Sequence, residues 1–541
     1  MGPDLAAVSV LAAVLSGGLL SIVIESLMQP RPPLRRPWAA WAVHAGLWGL
    51  IQVGMTVLLG RPWFALAVVS AVWLVLVQVN NAKYKSLREP FVFHDYEYFT
   101  DAIRHPRLYI PFLGWPKFFG AAAGVLAAVA IGLMVEPVSD QRWAWDGQLG
   151  GVVLLLLGSA GALAWGARHL PTVSFRPVED LQSLGFIASL WGYARAAAQV
   201  PGVQSPFADV SSAGDWSSQM QAEPQLAHQH QQLHVLSGAK SVRQLPHLLA
   251  VQSESFFDPR LLYAGIRPEA LAGFDQLQAE GVLRGTLGVP AWGANTIRTE
   301  FAFLTGIAAQ LLGVHQFNPY RVVASRWQPA SLASWLRAQG YRTVCVHPYP
   351  VGFYQRKRVY PRLGFDEFLD IRAFAGRQHE GPYMDDAAVA EKISAVLLSA
   401  NQPTFVFAIT MENHGPLHLE SVRPDEDQAF YTQPPSTDCD DLTIYLRHLH
   451  HADAMVTQLR STLLSLGSRA SLCWYGDHVP IMPNVYRRYG LPSGRVPYVC
   501  WNNWPSAYAP PIDLCVEDLS RRWLHSAGLM NCLPSGAACS S

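Results

Sequence analysis

The sequence lacks the features that announce a metal ribbon or a nucleic-acid binder. Its seven cysteines (345, 439, 473, 500, 515, 532 and 539) all lie in the C-terminal part and form no CxxC pair. That excludes a zinc ribbon and leaves disulfides permitted but not required. An excess of one charge is missing too. Lys+Arg and Asp+Glu both number 40, so no net field invites a nucleic acid and electrostatics must be local. In residues 5–24, 39–60, 62–80, 118–135 and 149–165, Lys, Arg, Asp and Glu are absent altogether. Each window approaches the roughly 20 apolar residues that cross a bilayer, which predicts five spanning helices in a multi-pass membrane protein. No basic residue precedes residue 5 and further spans follow, so the first window reads as a span and not as a cleaved leader.

Loop charge complicates the topology. Arg31, Arg35 and Arg36 in one loop, and Lys83, Lys85 and Arg88 in another, argue for cytoplasmic loops, which would put the C-terminal part inside. The function expected below needs that part outside. We expect it outside, with several of these basic residues binding lipid phosphates.

The expected organisation is a transmembrane domain over 1–170, a juxtamembrane segment and linker over 171–245, and a catalytic domain over 246–541. "VEDLQSLGFIASLWGYARAAAQ" (178–199) has apolar residues at helical spacing. It reads either as an amphipathic helix on the membrane surface or as a docking helix. Residues 200–240, rich in Gln, Ser, Pro and Ala, read as linker, with His228, His230 and His234 solvated in it. From 246 the pattern becomes short apolar runs separated by stretches long enough for crossover helices: 247–252, 342–348, 404–410, 470–476 and 496–501. This predicts an α/β sandwich around a mainly parallel sheet.

In such sheets ligands collect beyond the carboxyl ends of strands. The polar residues at those positions are Glu254, His347, Asn413 with His414, and Asp477 with His478. Glu254, Asp477 and His478 make a set of two hard oxygen donors and an imidazole, suited to Mn²⁺, Mg²⁺ or Zn²⁺. Thr296, in "GANTIRTEF" (293–301), follows a small flexible tripeptide and opens a helix-like run. A cation beside it would lower the pKa of its hydroxyl and make it a nucleophile, and the free N–H groups of the helix start suit a phosphoryl group. A plain helix N-cap competes for Thr296, and Thr299 is the local rival. His347, Tyr354, Arg356 and Arg358 in "HPYPVGFYQRKR", with His414 and His418 in "MENHGPLH", are candidates to neutralise phosphate oxygens. His414 can also move a proton at the reacting alcohol, or complete a second metal site with His418. The histidines of "RHLHHADAM" (447–455) read as structural.

The ordered set "QSESF" (252–256), "GANTIRTEF", "FYQR" (353–356), "MENHGP" (411–416) and "YGDH" (475–478), after a five-span region, resembles the lipoteichoic acid synthase and periplasmic-glucan phosphoglycerol transferase family of the alkaline phosphatase superfamily. The likeness covers about 246–505 and, more loosely, the loop "KYKSLREPFVFHD". It implies Thr296 as nucleophile, with Glu254, Thr296, Asp477 and His478 holding one Mn²⁺-like ion. His347, Tyr354, Arg356 and His414 would contact the phosphoglycerol. It further implies a bacterial cytoplasmic-membrane enzyme that moves glycerophosphate from phosphatidylglycerol to an envelope glycan. A phosphoethanolamine transferase or a metal-dependent phosphodiesterase is the alternative. Tyr354 stands where lipoteichoic acid synthases tend to carry Trp, and "RTEF" with "MENHGP" sits nearer the glucan-type branch.

Overall fold

A computed structural model describes residues 3–96, 99, 115–136, 148–208, 245–377 and 381–530. The chain divides into two compact units, Met1–Gln199 and Val200–Ser541. All five uncharged windows of the first unit fall on helices: α1 (Pro3–Glu25), α2 (Trp38–Leu59), α3 (Pro62–Leu87), α4 (Trp115–Val135) and α5 (Gln148–His169). Among the described residues, Trp38–Leu59, Pro62–Leu87 and Gly150–His169 are long and apolar enough to cross a membrane, and Val10–Glu25 and Ala123–Met134 are shorter apolar stretches. Five is thus an approximate count of spans. Leu19, Leu58, Leu126 and Leu154 are exposed on these helices, as expected of surfaces that face lipid. Glycines let α2 and α5 approach closely: a Cβ on Gly46 would lie 2.5 Å from the Leu163 nitrogen.

Over 178–199 the structure has two short helices, α6 (Pro177–Leu184) and α7 (Phe186–Ala196), broken at Gly185, whose φ is +77°. Their apolar residues Leu181, Leu184, Phe186 and Ile187 share one core with Trp48, Trp73 and Val77, which is the docking arrangement. Two of the six loop cations are consumed internally. Arg36 grips Glu25 (2.6 Å) and Lys83 grips both Glu89 and Asp95 (2.6 Å each), all with side chains largely removed from solvent. Those two are structural cations and are not available to lipid phosphates.

The second unit is built on one eight-stranded sheet in the order β4-β3-β5-β1-β6-β7-β2-β8. The strands are β1 (His247–Ser253), β2 (Leu283–Gly288), β3 (Arg342–Val346), β4 (Glu367–Leu369), β5 (Thr404–Ile409), β6 (Ala470–Gly476), β7 (Val496–Asn502) and β8 (Leu514–Cys515). Only β7 runs against its neighbours. Alternate residues of β1 feed opposite cores: Leu248 and Ala250 join α9 (Thr296–Thr305) and α14 (Val516–Ser526), while Leu249 and Val251 join α8 (Ala272–Glu280), α12 (Asp386–Leu398) and α13 (Asp440–Ser465). A sheet covered on both faces explains why the central strands are continuous apolar runs. Two further helices of this unit are α10 (Leu332–Ala338) and α11 (Arg356–Arg362). The expected linker lies largely outside the described residues, as do His228, His230 and His234.

Candidate active site

β3, β5, β1 and β6 are consecutive in the sheet and mutually parallel, so the loops at their carboxyl ends are neighbours. That topology delivers His347, Asn413 with His414, Glu254, and Asp477 with His478 to one edge. Glu254, Asp477 and His478 are all buried, and one ligating atom from each lies within 4.8 Å of the others. His478 Nε2 stands 3.5 Å from Glu254 Oε1 and 3.3 Å from Asp477 Oδ2. Gly476 makes the approach feasible, since a Cβ there would sit 2.2 Å from the Phe256 carbonyl oxygen. Ser255, at φ +51°, donates its N–H to Asp477 Oδ1 (2.8 Å) and its hydroxyl to Glu254 Oε1 (2.9 Å). The Glu254 N–H donates to Thr410 Oγ1 (3.0 Å).

The cluster is short of positive charge. Asp477 Oδ2 is buried without a hydrogen-bond partner. Burial, with the neighbouring Asp477 charge, pushes the Glu254 carboxyl up to about 7 against the opposing pull of His478. Two carboxylates and one imidazole in a dry setting, with one oxygen left orphaned, fit a divalent cation by donor chemistry and by charge.

Thr296 is the first residue of α9, and the cap position falls to Asn295, which makes no side-chain capping bond. Asn295 itself is held at φ +67°, a conformation that Asn tolerates better than most residues. The turn brings Thr296 Oγ1 to 3.4 Å from Glu254 Oε2. The rival hydroxyl of Thr299 instead donates to the Asp477 backbone carbonyl (2.8 Å), tying α9 to the Asp477–His478 turn.

Beside this cluster lies a group of polar atoms with unmet hydrogen bonds. His347 Nδ1 faces the Ile409 carbonyl at 3.1 Å, so Nδ1 carries the hydrogen and Nε2, buried and unpartnered, keeps the lone pair. Burial and the Arg356 charge hold His347 well below the usual histidine range. Both amide atoms of Asn413 are buried without partners, and so is Arg356 Nη1. Arg356 follows two residues in the left-handed region, Tyr354 (φ +53°) and Gln355 (φ +57°), a strained lead-in of the kind that collects at functional sites. Its guanidinium lies 5.3 Å from the Tyr354 ring centroid. His414 Nδ1 is 2.7 Å from the Gly415 carbonyl and 3.2 Å from Tyr383 Oη, which likewise leaves the lone pair on Nε2.

Arg358 and His418 are exposed. Among the described residues Glu254, Asp477 and His478 form a three-ligand group that does not include His414 or His418. The histidines of α13 are engaged away from this cluster: His448 pairs with Glu420 (3.1 Å), His451 with Glu412 (2.5 Å), and His450, exposed, lies tilted against Phe430. Sequence reasoning missed Ser255, Thr410, Tyr383 and Glu300. Ser255 was within reach because it sits inside "QSESF", whereas Tyr383 comes from a segment with no local signal.

Residues 246–512 match the family model described as Sulfatase. The chain is 27% identical over 445 residues to the capsular polysaccharide biosynthesis protein RkpI of Rhizobium meliloti, covering 80% of this chain and 76% of that one. It is 24% identical over 481 residues to a putative cyclic beta-1,2-glucan modification protein of the same organism, covering 85% and 70%. Among solved structures, the Streptococcus pyogenes phosphoglycerol transferase GacH, in complex with sn-glycerol-1-phosphate, aligns with a TM-score of 0.45 at 19% identity over 61% of this chain and 84% of that one. The lipoteichoic acid synthase LtaP of Listeria monocytogenes aligns at 0.43 and 22%, over 53% and 72%. Glu254, Thr296, Asp477 and His478 therefore all lie within the stretch that matches the Sulfatase family model.

Proposed function

We propose that this protein is a membrane-bound phosphoglycerol transferase. It takes glycerophosphate from phosphatidylglycerol and gives it to an envelope glycan through a covalent Thr296 intermediate. The observation that carries the reading is a threonine hydroxyl at a helix start, 3.4 Å from a carboxylate of a buried three-ligand cluster. Glu254, Asp477, His478 and Thr296 would hold one divalent cation, Mn²⁺ by preference. When bound, the ion favours the deprotonated alcohol and neutralises charge on the phosphate.

In the first half-reaction Thr296 Oγ1 forms a bond to phosphorus, the bond from phosphorus to the diacylglycerol oxygen breaks, and the threonine proton ends on that oxygen. In the second, a glycan hydroxyl oxygen forms a bond to phosphorus, the bond from phosphorus to Thr296 Oγ1 breaks, and the proton of the glycan hydroxyl ends on Thr296. His414, neutral with its lone pair on Nε2, is suited to take the proton of the incoming alcohol. His347 Nε2 is an acceptor too, which suits a glycerol hydroxyl better than a phosphate oxygen. Arg356 Nη1 and the Asn413 amide supply donors for the phosphate.

The uncharged helices support a lipid donor met at a bilayer, and the names of the two Rhizobium relatives support a glycan acceptor. Cys515 is disulfide-bonded, which favours an extracytoplasmic catalytic unit over 246–541, outside the cytoplasmic membrane, joined through 171–245 to a transmembrane domain over 1–170. The test uses membranes with phosphatidylglycerol labelled in its headgroup. The wild type should pass label to glycan and to a Thr296 peptide whose added mass is that of glycerophosphate, and Thr296→Ala should do neither. Transfer that survives Thr296→Ala sinks the mechanism, and an added mass of phosphoethanolamine replaces the donor.

A further inference from the structure

Glu300 belongs to the same helix as Thr296, one turn on, and is fully buried. Its carboxylate is saturated. Oε1 accepts from Tyr320 Oη, from Tyr360 Oη (2.5 Å) and from Arg356 Nε (3.3 Å), and Oε2 accepts from Arg356 Nη2 (2.8 Å). Four donors occupy about as many lone pairs as a carboxylate offers. Every Arg356 nitrogen except Nη1 is therefore engaged, and Nη1 is buried without a partner. A buried ion pair closed on all sides would serve packing alone, but one that leaves a whole charged NH2 group, Nη1, unmet beside His347 serves something else.

We propose that Glu300 is a positioning residue for phosphate capture: it clamps Nε and Nη2 of Arg356 so that Nη1 alone is offered to the substrate phosphate. Because Glu300 and Thr296 are four residues apart on α9, the clamp fixes the arginine relative to the nucleophile through one rigid turn of helix. Arg356 opens α11 directly after a strained, left-handed pair of residues, and its long side chain still needs a partner to fix its direction. Glu300 supplies the aim. The tyrosines complete the saturation, so no second orientation of the carboxylate competes for Nη1.

This inference rests on the function proposed above for Arg356, and the test separates the two. Binding of inorganic phosphate to the full-length, Mn²⁺-loaded protein is measured for the wild type, Glu300→Gln, Arg356→Ala and the double variant, alongside transfer from phosphatidylglycerol. Each single variant should weaken phosphate binding by about tenfold or more, and the double variant no further than Arg356→Ala alone. A residue that only packs the core would give additive losses, and that result overturns the proposal. So does wild-type phosphate affinity in Glu300→Gln. If Glu300→Gln does not fold, Tyr360→Phe keeps the ion pair and removes one clamp donor. It should raise KM for phosphatidylglycerol several-fold with kcat less affected, and an unchanged KM sinks the clamp. Loss of phosphate binding in both single variants, in a protein that shows no transfer, would leave the clamp standing and remove the transferase. Transfer that needs Thr296 but ignores Glu300 and Arg356 would do the reverse.

Discussion

Glu300 and Glu254 are both buried carboxylates of the same unit, and they are neutralised to different degrees. Glu300 has a guanidinium and two phenols on it, with four donors shared between its two oxygens. Glu254 shares its space with a second carboxylate and one imidazole, and across that cluster an oxygen of Asp477 has no hydrogen-bond partner. Folding can complete the first arrangement by itself. The second is completed by something that binds, because two carboxylates with a single imidazole between them are short of positive charge in a dry cavity. Self-sufficiency of a buried charge cluster therefore separates scaffold from site here better than burial does.

The largest effect should come from Asp477→Asn. Losing one of the anionic ligands should cut transfer by at least about a thousandfold, several kcal/mol at 1.4 kcal/mol per decade. The same substitution relieves repulsion in the metal-free protein, so its melting temperature in chelator should rise above that of the wild type. Calorimetry with and without Mn²⁺ reads both signs. A metal-free Asp477→Asn protein that melts below the wild type would break the comparison, since the cluster would then be structural. Glu300→Gln should move the other way, destabilising by roughly 3–5 kcal/mol with or without metal, because it strands a buried Arg356. Urea titration of the two variants side by side is the direct check.

How much of this was legible in the sequence follows from what each feature depends on. β1, β3, β5 and β6 could be read because a doubly covered parallel strand must be a continuous apolar run, and the residue after each run is where such sheets place ligands. β2, "LRGTLG", is half-buried and polar, while β4 and β8 have only three and two residues, too short to leave a pattern. Strand order was not legible, so neither was β7 running antiparallel. The ligands were marked by strand ends, whereas Glu300 looked like one more residue of a helix. Its meaning comes from Tyr320, Arg356 and Tyr360, which lie 20, 56 and 60 residues away.

pH sharpens the same contrast. The Glu254 carboxyl is raised from its ordinary 4.5 to about 7 in the metal-free protein, chiefly by burial. Its unfolded form therefore holds fewer protons than its folded form between those values. Stability should fall as pH rises from about 4.5 to about 7, by a few kcal/mol in all, and that component should be flat outside the window. Melting temperatures in chelator at intervals across this range, for wild type and Glu254→Gln, isolate it: the variant's advantage should grow with pH in chelator, and excess Mn²⁺ should reverse it, because the wild type alone keeps the full ligand set. A difference that stays constant with pH would mean that Glu254 is neutralised by the protein after all.

The smallest effect concerns the two threonines of α9. Thr299 spends its hydroxyl on the Asp477 carbonyl at 2.8 Å, and Thr296 has only a long 3.4 Å contact with Glu254. Replacing Thr299 with Val keeps the shape and removes one buried hydrogen bond, a loss of about 1 kcal/mol. The turn that carries Asp477 should loosen, with Mn²⁺ affinity falling by less than tenfold and transfer by a similar factor. Thr296→Val should leave the melting temperature within experimental error, because a hydroxyl that is barely bonded in the folded protein contributes little to folding. If Thr296→Val instead costs as much stability as Thr299→Val, its hydroxyl is serving the fold, and the division between self-sufficient and waiting groups fails at the residue where it matters most.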